Sequence, residues 1–298
     1  MRFTVFTPSY NRAYTLMRLY ESLKKQTFTD FEWILVDDGS TDNTNEFADH
    51  FSKDEERKFP FIYKKVQNGG KHRAINLGVS MARGELFFIV DSDDYLVEEA
   101  LQKADAVERS ILKNQKSKFG GICGLKGYSR NEMVGSTYKG MDYLDITALE
   151  RKKNNISGDK AEIFYAEILK KYPFPEFENE KFITECVIWD KIAYDGYKLR
   201  FFNDVIYICD YLDDGLSHNL NKYVKQSPIG EGLYLYQCQK FKKFDKKTEW
   251  IKFMDYYHTF KKDYSIWQIS DFLHQNRIVF FFRVVCTRAK NLFKGVFK

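Results

Sequence analysis

Four apolar residues run straight into a cluster of carboxylates in Phe87-Phe88-Ile89-Val90-Asp91-Ser92-Asp93-Asp94. A short apolar run of β-formers reads as a buried strand of a largely parallel sheet. Asp91 then stands at the carboxyl end of that strand, the edge where open α/β sheets bind ligands. If the chain stays extended, Asp91 and Asp93 point to one side, because side chains alternate with period 2. Two hard oxygen ligands beside a third carboxylate suit Mg²⁺ or Mn²⁺, which leave coordination positions open for phosphate oxygens. The competing reading is that Ser92-Asp93-Asp94 only caps the next helix.

The elements that must hold this cluster alternate in type. Strands are expected at Arg2–Thr7, Glu32–Val36, Phe59–Val66 and Glu85–Val90. Helices are expected from beyond Arg12 to Gln26, from Ser40 or Thr41 to Phe51, and over Lys71–Ala82. Asn68-Gly69-Gly70 is a turn that leads into the third helix, and Gly84 ends it. Strand and helix in alternation mean right-handed βαβ units and a parallel sheet. The polar loops of that sheet hold Pro8, Tyr10, Asp37, Asp38, Lys71, Arg73, Asp91 and Asp93. After Asp94, Val97, Ala100, Leu101, Ala104, Val107 and Ile111 follow helical spacing.

The middle is less regular. Phe119–Tyr128 reads as a strand, Lys160–Tyr172 as a helix stopped by Pro173, and Phe182–Tyr194 as a second helix. Lys198–Phe202 and Val205–Tyr211 read as two short strands. From Asn221 onward helical periodicity dominates and glycine becomes rare. The chain therefore divides into 1–220, an α/β catalytic domain, and 221–298, a helical extension that either associates with a membrane or dimerises.

Composition sets the outer limits. The 298 residues carry a net charge of only +5, which is no footprint for nucleic acid. Cys123, Cys186, Cys209, Cys238 and Cys286 are odd in number and widely spaced, which fits reduced thiols in a cytoplasmic protein. No apolar leader precedes the first strand, and no run of about 18 apolar residues would span a bilayer. From Ser265, Ile266, Trp267, Ile269, Phe272, Leu273 and the run Ile278–Val285 are interleaved with or followed by Arg277, Arg283, Arg288, Lys290, Lys294 and Lys298. That pattern fits a helix lying on the anionic inner face of a plasma membrane, and it fits a helix packed on the catalytic domain or on a second subunit.

Thr7-Pro8-Ser9-Tyr10-Asn11-Arg12, Val36-Asp37-Asp38-Gly39-Ser40-Thr41-Asp42, Asn68-Gly69-Gly70-Lys71 with Ala74-Ile75-Asn76, and Asp91-Ser92-Asp93-Asp94 occur in that order, each at a strand end. Together they resemble the signature of family 2 glycosyltransferases of the GT-A fold, a Rossmann-like, mostly parallel sheet. Thr184-Glu185-Cys186 and Asp214-Gly215-Leu216-Ser217 extend the resemblance to about residue 220. The resemblance implies an inverting transfer from a nucleotide-diphosphate sugar, a UDP-sugar by analogy, to a glycan or lipid-linked acceptor in bacterial surface-polysaccharide synthesis.

The residues agree with such a donor site. Tyr10 offers a flat face to a uracil ring, and Asp38 an acceptor to its imide N–H. Lys71 and Arg73 open a helix whose N-terminus favours an anion. Thr7, Pro8, Arg12, Gly70, Asn76 and Ser92 belong to the same donor-binding stretches. Asp91 resembles the ribose or metal ligand and Asp93 the metal ligand of the family's D-x-D pair. Ser217 lies in a loop that closes over the donor diphosphate in similar enzymes, and His218 behind it is a candidate for metal or phosphate.

One departure bears on the base. Many members carry Glu-Asp where this chain has Glu185-Cys186. A thiol with an ordinary pKa of about 8.5 is a poor base for a sugar hydroxyl. The role therefore moves to Glu185, with Glu180 and Asp190 as weaker substitutes. The rival readings are a sugar-phosphate nucleotidyltransferase, which needs a glycine-rich loop that Pro8–Arg12 does not supply, and a GT-A protein that binds sugar nucleotide or lipid with impaired chemistry.

Overall fold

In a computed structural model, every residue is described except 211, 213, 214, 216, 217, 297 and 298, and over 290–296 the backbone alone. The chain forms two compact units, one of Met1–Pro175 and Ile188–His218, the other of Glu176–Val187 and Asn219–Lys298.

The first unit is built on one sheet. Its opening run is β1 (Phe3–Ser9), α1 (Ala13–Lys24), β2 (Phe31–Asp37), α2 (Thr44–Lys53), β3 (Phe61–Lys65), α3 (Lys71–Met81) and β4 (Leu86–Ile89). These strands lie parallel in the order β3-β2-β1-β4, as the alternation predicts. β1 and β2 are buried along their whole length, which is why they read as unbroken apolar runs. The register sets Ser9 opposite Asp37. The loops after β1 and β2 therefore leave the sheet side by side.

Beyond β4 the sheet becomes mixed. β5 (Tyr95–Leu96) and α4 (Ala100–Arg109) precede β6 (Phe119–Ser129), β7 (Glu132–Met133), β8 (Tyr143–Ile146) and β9 (Lys160–Tyr165). β9 lies between β4 and β6, antiparallel to both. The helix expected over Lys160–Tyr172 is thus a strand followed by the short helix α5 (Ala166–Lys171). Ile163, Phe164 and Tyr165 fill the slot between two strands, and that pairing overrides the local pattern. α6 (Cys186–Tyr194) begins at Cys186, later than expected, so Phe182–Glu185 is not helical. The two strands expected beyond Lys198 are one, β10 (Lys198–Ile208), whose pairing with β6 shifts register between Phe201 and Val205. α2 starts at Thr44 rather than at Ser40 or Thr41, because Asp42 accepts the Thr44 N–H at 3.2 Å and turns the chain there.

The second unit is helical: α7 (Leu220–Lys225), α8 (Pro228–Lys240), α9 (Lys246–Phe260), α10 (Ile266–Phe272) and α11 (Arg277–Val296). Its core joins Leu235, Phe253, Tyr257, Phe260, Ile269, Leu273, Phe280 and Val284. The starts of α9 and α10 carry caps: Asp245 accepts the N–H of Lys247 and Thr248, and Ser265 with Gln268 forms a capping box. Glu176–Val187 groups with these helices and not with the sheet. None of the described helices is long and apolar enough to cross a membrane.

Candidate functional site

The loops at the carboxyl ends of the parallel strands are tied to one another by side chains. Asn11, at φ +52°, donates its N–H to the Ser40 hydroxyl oxygen at 2.9 Å, and its side-chain oxygen accepts the Thr41 N–H at 2.8 Å. The Ala13 N–H donates to Asp42 at 3.0 Å. Asp37 is buried and accepts from the Ser40 N–H at 2.7 Å and from the Tyr63 hydroxyl at 2.8 Å. Tyr10 is 49% exposed at the surface of this platform, so its ring is open to a planar ligand.

Asp38 grips the next loop. Its two carboxylate oxygens accept the N–H groups of Gly69 and Gly70, each at 2.8 Å, and the Asn68 amide donates to it at 3.2 Å. The loop can come this close because Gly39, at φ +81°, has no Cβ. One there would stand 2.7 Å from the Asn68 nitrogen. Gly70, at φ +99°, is likewise in a region that a side chain rarely tolerates, and α3 starts directly after it.

Lys71, the first residue of α3, reaches across to Asp91, Nζ to Oδ1 2.6 Å. Arg73 folds back, its guanidinium donating to the Gly69 carbonyl at 2.6 Å. Asn76 holds the backbone N–H and C=O of Phe174 at 2.8 and 2.9 Å. Thr7 is buried and accepts the Trp33 indole N–H at 3.0 Å. Pro8 and Ser92 are buried too. Tyr10, Lys71 and Asp91 thus belong to the open edge, Arg73 and Asn76 brace its loops, and Thr7 lies in the core.

Asp91 and Asp93 are not in extended chain. The Asp94 N–H donates to the Asp91 carbonyl at 3.1 Å, so residues 91–94 make a tight turn. The expected period-2 alternation therefore does not orient the pair; the turn does. The turn is held from β10. The Tyr207 hydroxyl accepts the Asp91 N–H at 3.0 Å and donates to the Asp94 carboxylate at 2.6 Å, and the Asp210 N–H donates to Asp94 at 3.2 Å. Lys126 on β6 lies 4.1 Å over the Tyr207 ring with its ammonium 4.0 Å from Asp91. Arg12 stands 3.9 Å from Asp93, and Arg18 donates to the Asp93 carbonyl and pairs with Asp210.

These neighbours separate the three carboxyls. Burial works to raise Asp91, but Lys71 and Lys126 outweigh it and hold the group below the usual carboxylate range. Burial, with the negative charge of Asp91, raises Asp93. Burial pushes Asp94 up to about 7. Asp91 and Asp93 offer hard oxygens, and the like-charge penalty on Asp93 is one that a divalent cation relieves, so the pair fits Mg²⁺ or Mn²⁺. Among the described residues no set of three or more His, Cys, Asp and Glu converges. His218 is exposed and joins no such set, and Ser217 lies outside the described residues.

Lys126, Tyr207 and Arg18 were not among the residues singled out from sequence, and Asp94 was named only as a third carboxylate beside the pair. Tyr207 is distant in the chain and left no local mark. Lys126 left one: it is the lone charge in Phe119-Gly120-Gly121-Ile122-Cys123-Gly124-Leu125-Lys126-Gly127.

In the helical unit, Glu185 is half-buried in the turn just before α6. Glu180 is buried, and its carboxylate accepts the N–H of Ile229 at 2.6 Å and of Gly230 at 2.8 Å. Asp190 is buried. Of the three carboxylates weighed as base, Glu185 is the one with open surface.

Residues 4–106 match the sequence profile of the family described as glycosyl transferase family 2. The glycosyltransferase GlyG of Streptococcus pneumoniae is 29% identical over 217 residues, which are 69% of this chain and 69% of GlyG. The poly(ribitol-phosphate) β-N-acetylglucosaminyltransferase TarS of Staphylococcus aureus is 36% identical over 108 residues, 36% of this chain but only 18% of TarS. The fold agrees with a crystal structure of TarS residues 1–349 in complex with UDP-GlcNAc, at TM-score 0.61 and 23% identity, covering 88% of this chain and 73% of that one. It agrees also with the mannosyltransferase PcManGT of Pyrobaculum calidifontis in complex with GDP-Man and Mn²⁺, at TM-score 0.54 and 17% identity, covering 99% and 79%. With its loops, its sheet and these relatives in agreement, residues 4–106 carry a glycosyl transferase family 2 region, and the fold is of the GT-A kind.

Proposed function

We propose that this glycosyltransferase moves a sugar from a UDP-sugar to a hydroxyl of a glycan or lipid-linked acceptor, with inversion, in bacterial surface-polysaccharide synthesis. The observation that carries the reading is the Asp91–Asp94 turn with Lys71, Lys126 and Arg12 around it. Paired carboxylates and flanking cations at a parallel sheet edge suit a divalent ion and a diphosphate together. Tyr10 supplies a face for the base, and the N-terminus of α3 favours the anion. The nucleotide and the polysaccharide role come by analogy with TarS, whose ligand is UDP-GlcNAc and whose acceptor is a poly(ribitol-phosphate).

In the proposed reaction the acceptor oxygen attacks the anomeric carbon and the bond from that carbon to the diphosphate oxygen breaks. The hydroxyl proton passes to Glu185, and UDP leaves with the bonding pair. Asp91 and Asp93 would hold Mg²⁺ or Mn²⁺, which neutralises the departing diphosphate. Lys71 shares that task as a fixed charge.

The test has two arms. Screening nucleotide sugars by thermal stabilisation identifies the donor without an acceptor, since a tight ligand raises the melting point by mass action. With donor and acceptor in hand, Glu185→Gln should keep donor affinity and lose transfer, and the product anomer should be inverted. A retained configuration sinks the single displacement. Donor binding with no transfer to any glycan acceptor would favour the reading of a sugar-nucleotide- or lipid-binding protein.

We further propose that α11 holds the protein on the inner face of the plasma membrane. Ile278, Val279, Phe282 and Val285 are exposed along it. Residues 272–298 contain six basic residues and no acidic one. A homodimer through this face would bring like charges together, whereas an anionic lipid surface matches both the charge and the apolar ridge.

A further inference from the structure

The N-terminus of α8 shows an arrangement that its own sequence does not explain. Ser227, the residue at its N-cap position, makes no capping bond, and its buried hydroxyl has no partner. Pro228 follows at the first helical position and has no N–H to satisfy. The next two N–H groups, of Ile229 and Gly230, are instead taken by the Glu180 carboxylate from 49 and 50 residues away. A buried anion bonded to two N–H groups at a helix N-terminus is a strong cap, because the charge, the dipole and the hydrogen bonds all act together. The segment after Glu180 is fastened at two more points. Ile183 and the Phe182 carbonyl lie so close to Gly230 that a Cβ there would stand 3.1 Å from each. The Phe182 ring packs against Tyr223 of α7 at 6.2 Å.

We infer that Glu180 is a positioning residue for transfer: by capping α8 it fixes the irregular segment 180–185, and so the placement of Glu185. The segment has no helix or strand of its own over 180–184 to hold it. Three attachments to α7 and α8 hold it. The inference rests on the reading of Glu185 as the base. It goes beyond that reading by making the C-terminal helices part of the acceptor-activating apparatus, with Gly230 as the residue whose missing side chain lets the segment seat.

The experiment uses the full-length protein with donor and acceptor. Glu180→Gln replaces one accepting oxygen by an amide that cannot accept, so it loosens the cap while keeping the shape. It should lower kcat by about 10- to 100-fold, the scale of a misplacement near 1 Å, with the donor KM unchanged. Glu180→Asp keeps both acceptors on a shorter arm and should recover part of the loss. Gly230→Ala keeps both accepting oxygens but crowds the segment, its Cβ standing 3.1 Å from Ile183 and from the Phe182 carbonyl and 3.2 Å from the Glu180 carboxylate, and should give the same split between kcat and KM. If Glu180→Gln folds poorly, Gly230→Ala carries the test. Hydrogen exchange over 181–186 should quicken in both. Near-normal kcat in Glu180→Gln and Gly230→Ala, beside an inactive Glu185→Gln, overturns the positioning role alone. An active Glu185→Gln overturns the base assignment and this inference with it.

Discussion

The two units of this chain are held by different physics. At the sheet edge, charged and polar side chains hold backbone: Asp38 takes two glycine N–H groups, Asn76 holds Phe174, and Tyr207 holds both the Asp91 N–H and the Asp94 carboxylate. In the helical unit the main bond is apolar packing around Phe253, Ile269 and Leu273, with caps at the helix ends. The difference teaches where strain is tolerated. The edge keeps three carboxyls within four residues, two of them pushed up by burial, which no fold would retain for stability alone. The apolar cluster around Phe253, Ile269 and Leu273 holds no carboxyl.

Single substitutions turn this contrast into opposite outcomes. Asp93→Asn should lower transfer by about 100- to 1,000-fold, the scale of losing one preorganised electrostatic contact. Its melting temperature should not fall at neutral pH, because Asn removes a half-buried charge beside Asp91. Phe253→Ala should do the reverse. A cavity in the helical core should cost about 3–5 kcal/mol, seen as an early transition in the helical unit, while UDP binding persists. Were Asp93→Asn to unfold the protein, or Phe253→Ala to abolish UDP binding, the division of labour between the units would be wrong.

The pH dependence sharpens the same contrast. Asp94 is raised in the folded state to about 7, against about 3.9 in an unfolded chain. The folded protein therefore binds more protons between these values. The stability that Asp94 contributes is fully present below about pH 4 and is lost as pH rises through about 7. Asp94→Asn should flatten the fall in melting temperature across that window. An unchanged slope would mean that Asp94 ionises normally, and that Lys126 offsets its burial.

How far the sequence foretold this depends on the range of the forces. The first ninety residues repeat a short pattern, and each strand ends in a polar cluster, so β1 to β4 and their loops were legible within a few residues. Lys160–Tyr165 was not. Its apolar residues run on into Ala166-Glu167-Ile168-Leu169, and only pairing with β4 and β6 selects the strand. The turn at Asp91 was read as extended because the hydrogen bonds that bend it come from Tyr207 and from its own backbone. Glu180 was weighed only as a substitute base, since its partners lie in α8. Local periodicity and turn residues are visible in one sequence, whereas side chains that satisfy distant backbone are not.

The smallest effect on stability should come from the exposed ridge of α11. Phe282 is 60% exposed, while Phe280 and Val284 on the same helix are buried in the core of the unit. Phe282→Ser removes a ring that packs little in the monomer, so unfolding should shift by no more than about 0.5 kcal/mol. On an anionic vesicle the same change should cost most of a buried phenylalanine, about 1.5–3 kcal/mol or roughly a tenfold to hundredfold loss of binding. Salt should weaken what remains, because basic side chains near such a surface contribute about 1 kcal/mol each and are screened. Flotation with vesicles of varied anionic content reads both effects. Full-length protein that stays off anionic vesicles at low salt rules out the membrane role. If instead Phe282→Ser changes the oligomeric state in sedimentation while leaving flotation untouched, the ridge serves a second copy of the chain. The charge argument against that pairing would then have to give way to counterions or to an offset packing of the two helices.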